Sequence, residues 1–337
     1  AGVAESGDTV DVENPADTSE VVNTYPASSA ADAEAAIEAA DTAQDEWGAM
    51  PAPDRGAILR ETGAILEERK EELTELLSRE EGKTLSEAAP EVQRAIDIFY
   101  YYAEKAFDFG GTLKGASGGR TSVSTRKEPI GVAGLITPWN YPVAIPAWKI
   151  APALATGNAV VIKPATQAPG PAHEIARALD EAGLPDGVFN LVVGAGSEVG
   201  STITDHEDVD AVSFTGSSHV GHIVYDAATD DTKRAQAEMG GKNPTIVTNS
   251  ADVDEAVDTV GAGAFGVTGQ ACTATSRAIV HESVYDEFVE RIVEYAEAID
   301  HGPGVEDPGM GPHVSEDELE GTLEYVDVAK TEGATHE

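Results

Sequence analysis

The chain is poor in cysteine and in positive charge. One cysteine in 337 residues excludes a disulfide framework and a cysteine-built zinc site. The 21 Lys and Arg face 61 Asp and Glu, for a formal net charge of −40. A surface of that sign repels phosphate, which argues against nucleic acid and anionic membranes as partners. No run approaches the roughly 20 consecutive apolar residues of a membrane span, and no basic-plus-apolar leader opens the sequence. Hydrophobic residues still make up 41%, enough for a core, so a soluble cytoplasmic protein is expected, with two domains suggested by length.

The acids are unevenly spread. At 61 in 337 residues, a window of 45 should hold about eight, yet Pro129 to His173 holds none. Thr259 to His281 is a second acid-free gap, and between Thr232 and Ala251 Glu238 is the only acid. Burial of strands and helices explains most of this, but each gap also carries polar residues and glycines that a plain core does not need.

The first hundred residues read as helices, with apolar residues spaced three and four apart over Asp32 to Trp47, Asp54 to Arg69 and Ser86 to Tyr102. Gly110 to Gly119 marks a turn or linker, and Thr121 to Lys127 alternates like an exposed strand. From Ile130 onward, short apolar runs (Ile130 to Ile136, Ala159 to Ile162, Val188 to Val193, Ala211 to Phe214, Thr245 to Val247) alternate with helical stretches. Those stretches are Pro142 to Leu154, Pro171 to Ala182, Ser217 to Ala228 and Val253 to Phe265. The alternation predicts an α/β fold with a parallel sheet.

Ligands of such sheets bind beyond the carboxyl ends of the strands. Residues there are Thr137-Pro-Trp-Asn140, Lys163-Pro-Ala-Thr166, Gly194-Ala-Gly196 and Thr215-Gly-Ser217, a polar, cationic, glycine-containing rim. Gly216 and Ser217, with Gly221 one turn on, open a predicted helix whose N-terminus favours phosphate. Ordinary strand-to-helix packing would use the same residues. His219 and His222 could share a helix face, but nothing completes a metal site around them. In the second gap lies Gly269-Gln-Ala-Cys272-Thr273. A lone cysteine is more often an inert buried residue than a nucleophile. Against that stand the small-residue loop around it, the isolated acid Glu238, and Asn140 at a strand end: a nucleophile, a base and an oxyanion donor form a functional set.

Thr137-Pro-Trp-Asn-Tyr-Pro142, Ile162-Lys-Pro164, Phe214-Thr-Gly-Ser217, Glu238-Met-Gly-Gly-Lys-Asn243 and Gly269-Gln-Ala-Cys272, in this order, resemble the aldehyde dehydrogenase superfamily. Asn14-Pro15 and Met310-Gly-Pro312 extend the match over essentially the whole chain. The resemblance implies oxidation of an aldehyde to an acid by NAD or NADP, with Cys272 as nucleophile, Asn140 as oxyanion donor, Glu238 as base for thioester hydrolysis and Lys149 tuning Glu238. It implies a cofactor site of Ile136, Trp139, Lys163, Thr166, Gly216, Ser217, Gly221 and Gly240, and no metal. Trp139 could equally fill core volume, while Lys149 and Lys163 are two of only ten lysines.

Thr166 stands where many NAD-preferring members carry an acid, so NADP becomes admissible. The stretch Ala144 to Ala153 resembles the branch acting on 2-oxoglutarate semialdehyde (2,5-dioxopentanoate), with succinate semialdehyde and betaine aldehyde as alternatives. An acylating dehydrogenase is disfavoured because Glu238 supplies a base for hydrolysis. The resemblance implies a Rossmann-like cofactor domain over 1–110 and 130–240, part of an oligomerisation arm over 111–129, and a catalytic domain from 241 to 337. Family members continue further, so a C-terminally incomplete chain is expected, a homodimer or homotetramer in its full-length form, with an inactive cofactor-binding fragment as the rival reading. The acid excess on exterior helices is that of a halophilic enzyme.

Overall fold

The computed structural model describes residues 7–118 and 121–336. Strands β1 (Thr9–Asn14) and β2 (Asp17–Pro26) pair first, followed by helices α1 (Ala30–Ala49), α2 (Ala52–Glu68), α3 (Lys70–Glu81) and α4 (Leu85–Lys105). Strands β3 (Leu113–Gly115) and β4 (Ser122–Ser124) form a small antiparallel ribbon. Then come β5 (Val132–Ile136), α5 (Ala144–Ala155), β6 (Ala159–Lys163), α6 (Gly170–Glu181), β7 (Phe189–Leu191), α7 (Ser201–Asp205), β8 (Ala211–Gly216), α8 (Ser218–Asp230) and β9 (Arg234–Met239). The last elements are β10 (Asn243–Val247), α9 (Val253–Phe265), β11 (Thr275–Val280), α10 (Tyr285–Glu297) and α11 (Glu316–Thr331).

The alternating strands and helices predicted from Ile130 onward are present. The first hundred residues are not all helical, because β1 and β2 precede α1; their Thr- and Val-rich stretches alternate with period two around an Asn14 side chain that accepts from the Ala16 N–H at 2.9 Å. Gly119, the end of the expected turn, lies outside the described residues.

Contacts divide the chain into two units, 1–10 with 25–73 and 91–238, and 11–24 with 74–90 and 239–337. The first is built on a five-stranded sheet of order β7-β6-β5-β8-β9, in which β7, β6, β5 and β8 run parallel. Parallel strands covered on both faces read as continuous apolar runs, and every residue of β5 and β6 is buried. On one face Val132, Ile136, Val161 and Val212 pack with Ala33 and Ile37 of α1 and Val224 of α8. Val160 and Ile162 alternate to the other face, where α5 packs on β6. Ser29 opens α1 with a reciprocal capping box to Asp32. Residues Leu113 and Val123 of the ribbon are 77% and 50% exposed.

The second unit pairs β10 and β11 in parallel and packs Val247, Val257, Val260 and Phe288 into a small core. Lys83 and Glu81, both fully buried, lie 3.8 Å apart as an ion pair. Among the described residues no helix is long and apolar enough to cross a membrane, and no group of three or more His, Cys, Asp or Glu could hold a metal ion.

Candidate active site

In the first unit the predicted rim residues follow their strands. Ile136 ends β5 and Lys163 ends β6, and the Thr137 N–H donates to the Lys163 carbonyl at 3.1 Å. Thr137 is buried and its Oγ1 meets no hydrogen-bonding partner, an unspent polar group of the kind that a bound molecule satisfies. Trp139 and Asn140 are half-buried. The Lys163 stem runs beside Gly196 and Gly200, close enough that a methyl on Gly200 would sit 3.7 Å from its Cδ. Its Nζ donates to the Pro164 carbonyl at 2.9 Å, and burial lowers the ammonium to about 8. Thr166 is half-buried.

Ser217 caps α8, its Oγ accepting from the Val220 N–H at 3.3 Å, and Gly221 is buried in the next turn. Gly216 has a packing reason to be glycine, since an added Cβ would lie 2.6 Å from the Phe214 ring. Gly240 has none: a Cβ there would meet nothing within 4 Å. His219 and His222 are exposed on α8.

Lys149 of α5 and Glu238 of β9 are joined by side chains that lay outside the sequence reading. The Lys149 Nζ donates to Ser213 Oγ at 2.7 Å and to the Phe214 carbonyl at 3.3 Å. The Ser213 hydroxyl donates to Gln236 Oε1 at 3.0 Å, and Gln236 Nε2 donates to Glu238 Oε1 at 3.4 Å. Every donor in this chain points toward the carboxylate. Burial depresses the Lys149 ammonium to about 8, opposed by the negative Glu238. The folded state therefore holds this proton less tightly than the unfolded state, and stability from this group rises with pH between about 8 and 10.5. Wild type should gain up to about 3 kcal/mol on Lys149→Met across that window, checked by denaturant unfolding of both proteins at several pH values; a constant difference would contradict the buried ammonium.

Another acid missed in the sequence fixes the start of α5. Glu91 Oε1 accepts from the Val143 N–H at 2.9 Å and the Ala144 N–H at 3.1 Å, satisfying helix-end donors. Its signal in the sequence is an acid on the buried stripe of Ala88, Val92, Ala95 and Phe99.

Cys272 lies in the second unit, exposed, in the loop between α9 and β11. Asn243 at the start of β10 holds that loop, its Nδ2 donating to the Cys272 carbonyl at 2.9 Å and the Ala274 carbonyl at 3.1 Å. Before the cysteine three residues are left-handed: Val267 at φ 52°, Thr268 at φ 56° and Gly269 at φ 70°. Only glycine takes this conformation freely; for β-branched Val267 and Thr268 it costs about 1–2 kcal/mol each. Partial compensation comes from Thr268 Oγ1, which donates to the Gly311 carbonyl at 2.9 Å, and from Gln270 Oε1, which accepts from the Val314 N–H at 3.1 Å.

A parallel sheet covered on both faces, with a polar rim at its carboxyl edge, gives the first unit an α/β architecture whose ligands bind beyond the strand ends, where the unspent Thr137 hydroxyl lies. The sequence profile of the aldehyde dehydrogenase family matches residues 3–337, and the chain belongs to that family, whose members oxidise aldehydes with NAD or NADP. It is 63% identical over 332 residues to the α-ketoglutarate semialdehyde dehydrogenase of Haloferax volcanii, covering 98% of this chain and 69% of the relative. It is 44% identical to the 2,5-dioxopentanoate dehydrogenase of Saccharolobus solfataricus, covering 95% of this chain and 68% of that one. The crystal structure of betaine aldehyde dehydrogenase from Staphylococcus aureus in complex with NAD+ superposes with a TM-score of 0.97 at 37% identity, over 99% of this chain and 66% of that one.

Proposed function

We propose that the chain carries the cofactor and nucleophile machinery for NAD(P)-dependent oxidation of 2-oxoglutarate semialdehyde to 2-oxoglutarate. The observation that carries the substrate is the 63% identity, over 98% of this chain, to a relative named for that aldehyde. The first unit is the cofactor domain and residues 239–337 belong to the catalytic domain. Lys163, Thr166, Ser217 and the backbone at Gly216, Gly221 and Gly240 hold the dinucleotide, with Ile136 and Trp139 as apolar walls. When bound, its oxidised nicotinamide supplies the hydride acceptor.

Cys272 attacks as thiolate, forming a sulfur–carbon bond while the carbonyl π electrons move to oxygen. The Asn140 amide and the Cys272 N–H stabilise that alkoxide, donors aimed at charge that exists only after attack. Loss of hydride from the adduct carbon leaves a thioester on Cys272. Glu238 then takes a proton from water, the water oxygen bonds to the acyl carbon, and the carbon–sulfur bond breaks to return the thiolate and release the acid. Lys149, through Ser213 and Gln236, orients the Glu238 carboxylate for this second half.

The test is a panel of 2-oxoglutarate semialdehyde, succinate semialdehyde and betaine aldehyde with NAD and with NADP, followed by reduced-cofactor absorbance. Highest kcat/KM on the five-carbon 2-oxo acid aldehyde supports the assignment; preference for betaine aldehyde overturns it. Thr166 leaves room for a 2′-phosphate that a carboxylate would repel. Thr166→Glu should therefore shift the NADP-to-NAD ratio of kcat/KM toward NAD by about tenfold or more, and an unchanged ratio would remove Thr166 from the cofactor site. Further parts of the proposal are a cytoplasmic enzyme adapted to high salt, its acid excess solvated by salt, and a homo-oligomer using the exposed ribbon of β3 and β4 as an arm.

A further inference from the structure

We infer that Glu87 is the positioning residue for the nucleophile loop: its carboxylate clamps the left-handed backbone at Val267 and thereby sets where Cys272 stands. The inference rests on the reading of Cys272 as nucleophile, but the clamp itself is geometric. Glu87 lies in the first turn of α4, whose start is the sequence Thr84-Leu-Ser-Glu87. One carboxylate oxygen, Oε2, turns back on the helix and accepts from the Thr84 N–H and the Thr84 hydroxyl, both at 3.1 Å. This is the return half of a capping box. The other oxygen, Oε1, accepts from the Val267 N–H at 2.6 Å, the short distance of a charge-assisted bond.

One side chain thus performs two tasks. Helix capping needs only one oxygen, and any residue 267 far from α4 would leave the second to water. Instead it meets the first of two consecutive β-branched residues at positive φ, five residues before the cysteine. Such a conformation persists only where its surroundings over-determine it. The Thr268 and Gln270 bonds lie further along the loop and tie it to residues 311 and 314; Glu87 alone among these holds the residue where the left-handed turn begins. The helix also fixes the carboxylate: with Oε2 anchored on the backbone N–H of residue 84, Oε1 cannot follow the loop if it relaxes. Glu87 does not touch the reacting atoms in this scheme and acts through the Val267–Cys272 backbone.

Four forms of the full 337-residue chain test this: wild type, Glu87→Ala, Thr84→Ala, and Glu87→Ala combined with Val267→Gly. Hydrogen exchange over residues 266–272 reads the loop without requiring activity. Glu87→Ala should speed exchange there by about tenfold or more, whereas Thr84→Ala, which weakens the cap but keeps the Val267 bond, should leave it near the wild-type rate. In turnover, Glu87→Ala should lower kcat about tenfold or more with cofactor KM unchanged. Val267→Gly removes the penalty for positive φ and should recover most of that loss. Unchanged loop exchange in Glu87→Ala, or equal effects in Thr84→Ala, would overturn the clamp whatever Cys272 does. Faster exchange with full kcat would also overturn it, by separating the loop from the chemistry. Rapid loop exchange in Glu87→Ala with no turnover by any form, wild type included, would uphold the clamp and sink the activity proposed above.

Discussion

Cys272→Ala lowers aldehyde oxidation by roughly four orders of magnitude or more, while the dissociation constant of the cofactor stays the same. Cys272 is the sole thiol in 337 residues, so no neighbouring cysteine can substitute, and it is exposed in its loop, so truncation removes no core packing and should change stability by only about 0.5 kcal/mol. Activity and stability therefore separate. Removing the sulfur removes the covalent step altogether, and an aldehyde held beside an oxidised cofactor has no route to a tetrahedral adduct other than its minor hydrated form. Thermal melting of the variant checks the fold, fluorescence titration checks cofactor binding, and reduced-cofactor absorbance checks turnover. Retained turnover would end the covalent mechanism.

Glu238→Gln separates the two halves of the same reaction. Steady-state turnover falls about 10²- to 10⁴-fold, the range of general-base catalysis, but the first half is preserved and one reduced cofactor per chain forms in a burst. The glutamine keeps a carbonyl oxygen where Gln236 Nε2 now donates to Glu238 Oε1 at 3.4 Å, so the geometry of the donor chain from Lys149 survives while the ability to take a proton is lost. Stopped-flow absorbance distinguishes this outcome from a loss of the burst, which would assign Glu238 to the first half instead. Cutting the chain at its middle with Ser213→Ala should have a smaller effect in the same direction, since it disorients the base without removing it.

The sheet and the strand ends that follow it could be read from the sequence because both rest on local patterns. Runs such as Ala159 to Ile162 are apolar on both faces, and rim residues follow them directly, so strand ends locate candidates such as Lys163 and Asn140. Strand β9 escaped because Arg-Ala-Gln-Ala-Glu-Met has the propensities of a helix and is strand only beside β8, a case of tertiary context overriding local preference. Helix α3 escaped because it is crowded with charge and follows α2 after a single break at Arg69. The supporting polar groups were the least legible. Ser213, Gln236 and Asn243 each matter through a partner distant in sequence, Asn243 reaching 29 residues to the Cys272 carbonyl, and no spacing rule announces such a pair. Gly216 and Gly240 looked equivalent as letters, and only the Phe214 ring beside one of them tells them apart.

In the proposed reaction the chemistry passes through an acyl group on Cys272. The most direct measurement is peptide mass analysis of Glu238→Gln, quenched in acid after mixing with 2-oxoglutarate semialdehyde and oxidised cofactor. The account predicts a single adduct on the Cys272 peptide, of the aldehyde's mass less the hydride lost to the cofactor and the thiol proton, at about one per chain and released by hydroxylamine. An unmodified Cys272 alongside reduced cofactor would contradict it.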